Sequence, residues 1–334
     1  MKKAQLNWGF LGAAKIGRAL APAIVASKYA TAYAVASRSR EKAEGYASEN
    51  GFLRSYGSYQ TLLRDPDVDV IYNPLPNHLH CEWTIRALEA GKHVLCEKPM
   101  ALNVAECRRM IAAARRNRRL LMEAFMYRLH PQTLRIQELI RKGSVGEIHV
   151  IRAGFGFRLS EDAKNVRLLK RGGGCLMDVG CYCVNAIRTF FGAEPKQVAG
   201  HAERGKVSGV DMTFAGVLLF PEGRLGVFSS SFRTALDWGV EIVGTQGRIL
   251  VPSPWKPNGH LASFVVETNG KAETVHIRNG GGVYHCEVDH FSRCIIEGKP
   301  LALPPEEGLK NMRVIEGLYR SARRSHAVRL LGVK

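Results

Sequence analysis

The chain has 334 residues, of which 46% are hydrophobic, 23% charged and 8% aromatic; this excludes a low-complexity or disordered polypeptide and is long enough for two cores. Its formal net charge of +18 suits an anionic partner: nucleic acid, anionic lipid or an anionic cofactor. The basic residues are scattered, however. The densest group, Arg108, Arg109, Arg115, Arg116, Arg118 and Arg119, interleaves with Met110, Ile111 and alanines as a solvated helix face does, and no nucleic-acid motif accompanies it.

Met1-Lys2-Lys3 is followed by an apolar run that Asn7 and Lys15 break, too short for a signal peptide, and no run reaches the roughly 20 apolar residues of a membrane span. The eight cysteines include no CxxC pair, and Cys175, Cys181 and Cys183 lack suitably spaced histidines, so no metal site is expected. Reduced thiols in a cytoplasmic protein are the simplest reading.

Strand and helix alternate through the first half. Leu6 to Leu11 reads as a buried strand, Gly12-Ala13-Ala14-Lys15-Ile16-Gly17 as a turn, and a helix runs from there to about Ser27. Strands over Thr31–Ser37, Val68–Tyr72, His93–Cys96 and Leu120–Phe125 are interleaved with helices over Glu41–Asn50, Leu79–Ala90 and Asn103–Asn117. That order predicts a parallel sheet with helices on both faces.

The first turn is a degenerate dinucleotide fingerprint, Gly12-x-Ala14-x-x-Gly17, with alanine where the second glycine lets the backbone approach a pyrophosphate. A plain strand-to-helix turn is the alternative. NAD sites carry an acid at the end of the second strand, whereas this chain has Ser37-Arg38-Ser39-Arg40 and no carboxylate before Glu41. A hydroxyl and guanidinium groups suit a 2′-phosphate, so NADP is expected over NAD. A helix-starting Ser39 with exposed arginines is the bland alternative, and it leaves the missing acid unexplained.

Two further loops fall where the carboxyl ends of parallel strands meet. In Asn73 to His80, Pro74 and Pro76 hold the chain extended and Asn77 can start a helix; with Leu75 and His80, such a loop can line a cofactor. Glu97-Lys98-Pro99 follows the next strand, and a lysine there projects into the ligand crevice of an open sheet, where its charge can favour a nearby phenolate. A solvated lysine paired with Glu97 is the alternative.

The second half reads as a helix over Pro131–Lys142, a strand over Glu147–Phe157 and a polar loop over Arg158–Arg171. Gly172-Gly173-Gly174 then frees the backbone to turn sharply or to approach something closely, ahead of a helix that stops near Gly192. Met177, Cys181, Val184 and Phe191 share one face of it; Asp178, Tyr182 and Asn185 form a second stripe. An acid and a phenol four residues apart can serve one pocket, although a buried helix with an N-terminal Asp explains them equally well. Asn185 has no assigned role. Six more strands, over Gln197–Ala202, Met212–Phe220, Arg224–Phe232, Val240–Gly244, Phe264–Thr268 and Glu273–Ile277, predict a large, mostly antiparallel open sheet, followed by helices over Tyr284–Glu297 and Pro305–Arg323. The predicted fold is thus α/β: a doubly wound parallel sheet over residues 1–125 and an α+β domain over 126–334. The loops Arg158–Arg171 and Pro252–Leu261 are expected to border the substrate pocket.

Trp8 to Ile16, Asn73 to His80, Cys96 to Met100, Glu123 to Arg128, His130-Pro131-Gln132 and Gly172 to Asn185, in this order, resemble the Gfo/Idh/MocA oxidoreductases, nearest to the branch of NADP-dependent xylose dehydrogenase, dihydrodiol dehydrogenase and anhydrofructose reductase. The resemblance implies a Rossmann domain, a C-terminal domain whose sheet makes a homodimer or homotetramer, and a sugar or cyclic diol as substrate. It implies that Lys98, Asp178 and Tyr182 are catalytic, that Arg167 lies near the nicotinamide, and that tyrosine rather than histidine at 182 disfavours an inositol substrate. A non-catalytic NADP-binding sensor and an NAD-retaining redox-assisted glycosidase are the competing functions; the presence of all three catalytic residues disfavours the first, and Ser37 with Arg38 the second.

Overall fold

The computed structural model describes residues 4–257, 261–278 and 282–330. They form two compact units, the first of Met1–Leu129 with Val283–Leu309 and the second of His130–Gly282 with Lys310–Lys334. The return of Val283–Leu309 to the first unit differs from the linear division near residue 125, and its physical reason is apolar packing, described below.

In the first unit, β1 (Leu6–Leu11), β2 (Ala30–Ala36), β3 (Arg54–Tyr56), β4 (Val70–Asn73), β5 (His93–Glu97) and β6 (Leu121–Ala124) form one sheet in the order β3-β2-β1-β4-β5-β6. Every pairing is parallel, and the order reverses between β1 and β4. This is the doubly wound arrangement whose ligand crevice lies at the carboxyl ends flanking the reversal. The helices between the strands are α1 (Gly17–Ala26), α2 (Arg40–Asn50), α3 (Tyr59–Arg64), α4 (Asn77–Glu89) and α5 (Val104–Arg116). Ser39, Ser58 and Asn103 begin α2, α3 and α5 by accepting a backbone N–H three residues on, and Gly51 ends α2 in the left-handed region. The short β3 and α3 carry too few apolar positions to show a period. On α5 the arginines are exposed, Arg115 pairing with Glu306 at 2.7 Å and Arg116 with Glu89 at 3.2 Å.

The second unit starts with α6 (Pro131–Arg141) and β7 (Ile148–Gly156), then passes through a π-turn over Leu176–Gly180 into α7 (Cys181–Phe191). The strands β8 (Gln197–Arg204), β9 (Asp211–Leu219), β10 (Leu225–Ser231), β11 (Asp237–Gly244), β12 (Gly247–Val251), β13 (Leu261–Thr268) and β14 (Lys271–Arg278) follow. Helices α8 (Gly282–Glu297) and α9 (Pro305–Arg324) and the two-residue β15 (Val328–Arg329) complete the chain. The nine-stranded sheet runs β14-β13-β12-β11-β7-β10-β9-β8-β15, antiparallel except between β7 and β10. Its inner face accepts α7 closely, because a Cβ at Gly226 would lie against Ile187. The other face leaves Val217, Leu225 and Val227 exposed.

The stripe predicted on α7 is an understatement. Every residue of α7 except Thr189 is buried, including Asn185 and Arg188. Arg188 is tolerated there because its guanidinium bonds both carboxylate oxygens of Glu194, at 2.7 and 2.8 Å, and Asn311 at 3.3 Å.

Candidate active site

In the first unit, β1 delivers the chain to Gly12, whose φ of +97° favours glycine and whose missing side chain leaves room against Leu75 and the Tyr59 hydroxyl. Gly17 is required for a different reason: a Cβ there would lie 2.5 Å from the Tyr46 hydroxyl and 3.1 Å from the Phe10 ring. Tyr46 also donates to the Ala14 carbonyl at 3.3 Å, pinning the turn between them. No side chain caps α1, and no acid lies in its first turn. Its start therefore presents positive dipole without internal compensation, which suits a pyrophosphate. Ala13 and Lys15 are exposed at this turn; Ala14 and Ile16 are half-buried.

At the end of β2, Ser37 is buried and Arg38 exposed. Arg38 hydrogen-bonds the Tyr59 hydroxyl, and Tyr59 packs edge-on against Trp83 at 4.9 Å. Ser39 does start α2, and the nearest following carboxylate is Glu41 inside that helix. The residues fit a dinucleotide bearing a 2′-phosphate, because the turn, the uncapped helix and the Ser37–Arg38 pair all favour negative charge.

The two remaining loops of this unit are tied together from behind. Asn73 is fully buried; its amide donates to His80 O and Thr84 Oγ1, and its Oδ1 accepts from Leu75 N. His80, also fully buried, places Nδ1 2.9 Å from the Pro99 carbonyl and Nε2 2.7 Å from the Leu75 carbonyl. Burial first, and then the Lys98 charge, depress its pKa to about 4 against the upward pull of those carbonyls. An uncharged imidazole donates to only one carbonyl at a time. His80 thus ties the Leu75 and Pro99 carbonyls together. Pro74 is buried beside it and Asn77 is the first residue of α4. Glu97, buried at the end of β5, accepts from the Tyr72 hydroxyl at 2.6 Å and from the Lys98 backbone N–H at 3.2 Å. Lys98 is half-buried, and its peptide bond to Pro99 is cis.

In the second unit Gly173 and Gly174 close on their own chain. Gly173 N donates to Leu169 O and Gly174 N to Arg167 O, both at 2.9 Å, and a Cβ at Gly173 would collide with the same carbonyls. Gly174, with φ of +106°, lies against the Asp211 carboxylate. That carboxylate accepts Leu176 N at 2.7 Å, Cys175 Sγ at 3.3 Å and the Tyr319 hydroxyl at 2.9 Å. The turn folds Arg167 back on the helix start, where its Nε meets Asp178 Oδ2 at 2.6 Å and its guanidinium lies over Phe157. Arg167 and Asp178 are thereby brought together. One turn on, Tyr182 is 6% exposed, its ring 5.6 Å from both Phe155 and Trp255. Phe155 stacks on Trp255 and meets Trp238 edge-on. Of the loop Pro252–Leu261, residues 258–260 lie outside the described residues.

Residues 6–125 match the oxidoreductase family with an NAD-binding Rossmann fold, and residues 133–250 match the GFO/IDH/MocA C-terminal domain. The chain belongs to the Gfo/Idh/MocA oxidoreductase family. It is 36% identical to D-xylose 1-dehydrogenase (NADP(+)) 2 of Haloferax volcanii, covering 97% of this chain and 100% of the relative. It is 32% identical to trans-1,2-dihydrobenzene-1,2-diol dehydrogenase of Mus musculus, with 97% of each chain covered. Among solved structures, aldose-aldose oxidoreductase from Caulobacter crescentus superposes with a TM-score of 0.91 at 30% identity, covering 98% of this chain and 100% of that one.

Within this Gfo/Idh/MocA chain, sequence reasoning passed over Asp211 and the aromatic set around Tyr182. Asp211 carries a weak signal, an acid opening an otherwise apolar strand. Phe155, Trp238 and Trp255 carry none, because they come from three separate segments. Among the described residues no cluster of metal-ligating side chains occurs and no helix is long and apolar enough to cross a membrane.

Proposed function

We propose that this oxidoreductase moves a hydride reversibly between NADP(H) and a sugar or cyclic diol, with Tyr182 as the acid/base. The observation that carries the reading is the placement of Asp178 in the π-turn and of Tyr182 in the first turn of α7, with Arg167 fixed on Asp178 at 2.6 Å. The nicotinamide supplies the hydride chemistry. Gly12, Ala13, Ala14, Lys15, Ile16 and Gly17 hold the pyrophosphate, Ser37 and Arg38 the 2′-phosphate, and the loops bearing Pro74, Leu75, Asn77 and Glu97 line the crevice. Tyr182 exchanges the proton of the substrate hydroxyl. Lys98 favours the phenolate by its charge and Asp178 orients the substrate hydroxyl. Arg167 steadies Asp178, and the family resemblance assigns it to the nicotinamide. The names of the relatives support sugars and dihydrodiols as the substrate class. The exposed Val217, Leu225 and Val227 on the open sheet face support homodimer or homotetramer formation there.

Mixing the protein with NADP and a panel of aldoses and cyclic diols tests the reading directly. Absorbance at the reduced-nicotinamide band rises with at least one of them; cofactor binding without any change would instead favour a sensor. Tyr182→Phe lowers kcat by about 10²- to 10⁴-fold, the range of a lost general acid/base, while NADPH affinity stays within about twofold by fluorescence titration. Normal turnover in that variant removes Tyr182 from the mechanism.

A further inference from the structure

Helix α8 joins the first unit through one apolar face. Val288 and Phe291 are fully buried in the same core as Trp8, Phe10 and Leu95, and Trp8 Nε1 donates to Ser292 Oγ at 3.3 Å. The same face, one turn earlier, carries Tyr284 and Glu287, which lie within electrostatic reach of Tyr72 and Glu97 at the ends of β4 and β5. Glu287 is 1% exposed. Its Oε1 and the Tyr284 hydroxyl are buried without a hydrogen-bond partner. Among the described residues no lysine or arginine pairs with it.

We propose that Glu287 is held as the neutral acid behind the Glu97-Lys98-Pro99 loop, which leaves Glu97 the single anion of the group and makes Glu287 a positioning residue for Lys98. The hydrogen bonds decide which carboxyl keeps the proton. Glu97 accepts from Tyr72 Oη and from Lys98 N, and two donors stabilise a carboxylate. No donor reaches Glu287 Oε1, and two neighbouring buried carboxyls do not both ionise. Burial first, then the charge of Glu97, push the Glu287 carboxyl well above the usual carboxylate range. The titratable neighbours act in the same sense. Tyr284 and Tyr72 are pushed up by burial and by Glu97 and so stay neutral, as does Cys96 beside Glu97. Glu123 is occupied by the Met100 N–H at 2.6 Å, and the His285–Asp289 pair lies elsewhere on α8. Ionised, Glu287 would repel Glu97 from the backbone of Lys98; neutral, it leaves that anchor in place.

The kinetic half rests on the proposed role of Lys98, and the spectroscopic half does not, so their failures separate. In the full chain in D₂O at pH 8, infrared spectroscopy with ¹³C-labelled glutamate shows a protonated-carboxyl carbonyl band. Glu287→Gln removes it and Glu97→Gln leaves it. Glu287→Ala lowers kcat about tenfold, as a displaced catalytic group does, with NADPH affinity within about twofold, and Gln in place of Ala restores most of the loss. A wild-type protein lacking the band, or a band that survives in Glu287→Gln, overturns the neutral acid. A Gln variant as slow as the Ala variant, or an Ala variant with wild-type kcat, overturns the positioning role. If the Gln variant does not fold, the wild-type band and the Ala variant's kcat still decide.

Discussion

The turn Gly12–Gly17 and the turn Gly172–Gly174 both lead into helices, and in both a glycine with positive φ is packed against something. At the first, the start of α1 has no capping side chain and no acid, so no group of its own offsets its positive end. At the second, the backbone N–H of Leu176 is taken by Asp211, a carboxylate of the same chain, at 2.7 Å. One turn carries no anion among its own capping groups; the other has already been given one from a strand 35 residues away. The same sequence signal, glycines before a helix, therefore leaves an uncapped helix start in one unit and a carboxylate-filled turn ahead of Asp178 and Tyr182 in the other.

The largest effect that sharpens this contrast comes from Gly174→Ala. The new methyl group meets the Asp211 carboxylate at a backbone conformation that side chains rarely adopt. Strain and the displaced hydrogen bonds together cost at least about 3 kcal/mol, read as a lowered denaturant midpoint. A midpoint within error of the wild type would mean the second turn is as open as the first. Next comes Ser37→Asp, which adds at the open site the anion that the closed site already has. Affinity for NADP falls about 10- to 100-fold, the loss of a charge-assisted hydrogen bond or more, with unfolding stability barely changed. Titration with 2′,5′-ADP against 5′-AMP reads this without turnover; an unaltered preference would remove Ser37 from the phosphate site.

Much of the first unit was legible because its logic is local. A strand, a glycine turn and a helix follow one another within residues 6–26, and the absent acid after β2 is visible in the order Ser37-Arg38-Ser39. In the second unit the sheet was legible as alternation, whereas the partner of its glycine turn was not. Asp211 is brought to Gly174 by sheet pairing, and the ring set around Tyr182 comes from β7, β11 and the segment after β12. Contacts of that span have no period or spacing to betray them. Glu287 was hidden for the same reason: in a helix read as amphipathic, nothing distinguishes a buried carboxyl from a solvated one.

The smallest effect tests whether the anion filling the second turn is tolerated rather than optimal. Burial raises the Asp211 carboxyl above its ordinary value, while Leu176 N, Tyr319 and Cys175 draw it part of the way back. A folded-state pKa above the unfolded one means the native protein holds the proton more tightly. The stability this contributes is complete below the unfolded pKa, near 3.9, and is lost as pH rises through the folded value. Asparagine keeps the acceptor for Leu176 N and does not titrate. Asp211→Asn is therefore less stable than the wild type at the acid end, and the difference narrows as pH rises toward neutrality, by a few degrees in Tm for a unit of this size. A gap that widens with pH would show that the Asp211 anion is stabilised in the fold, leaving the second turn electrostatically closer to a filled ligand site than its burial implies.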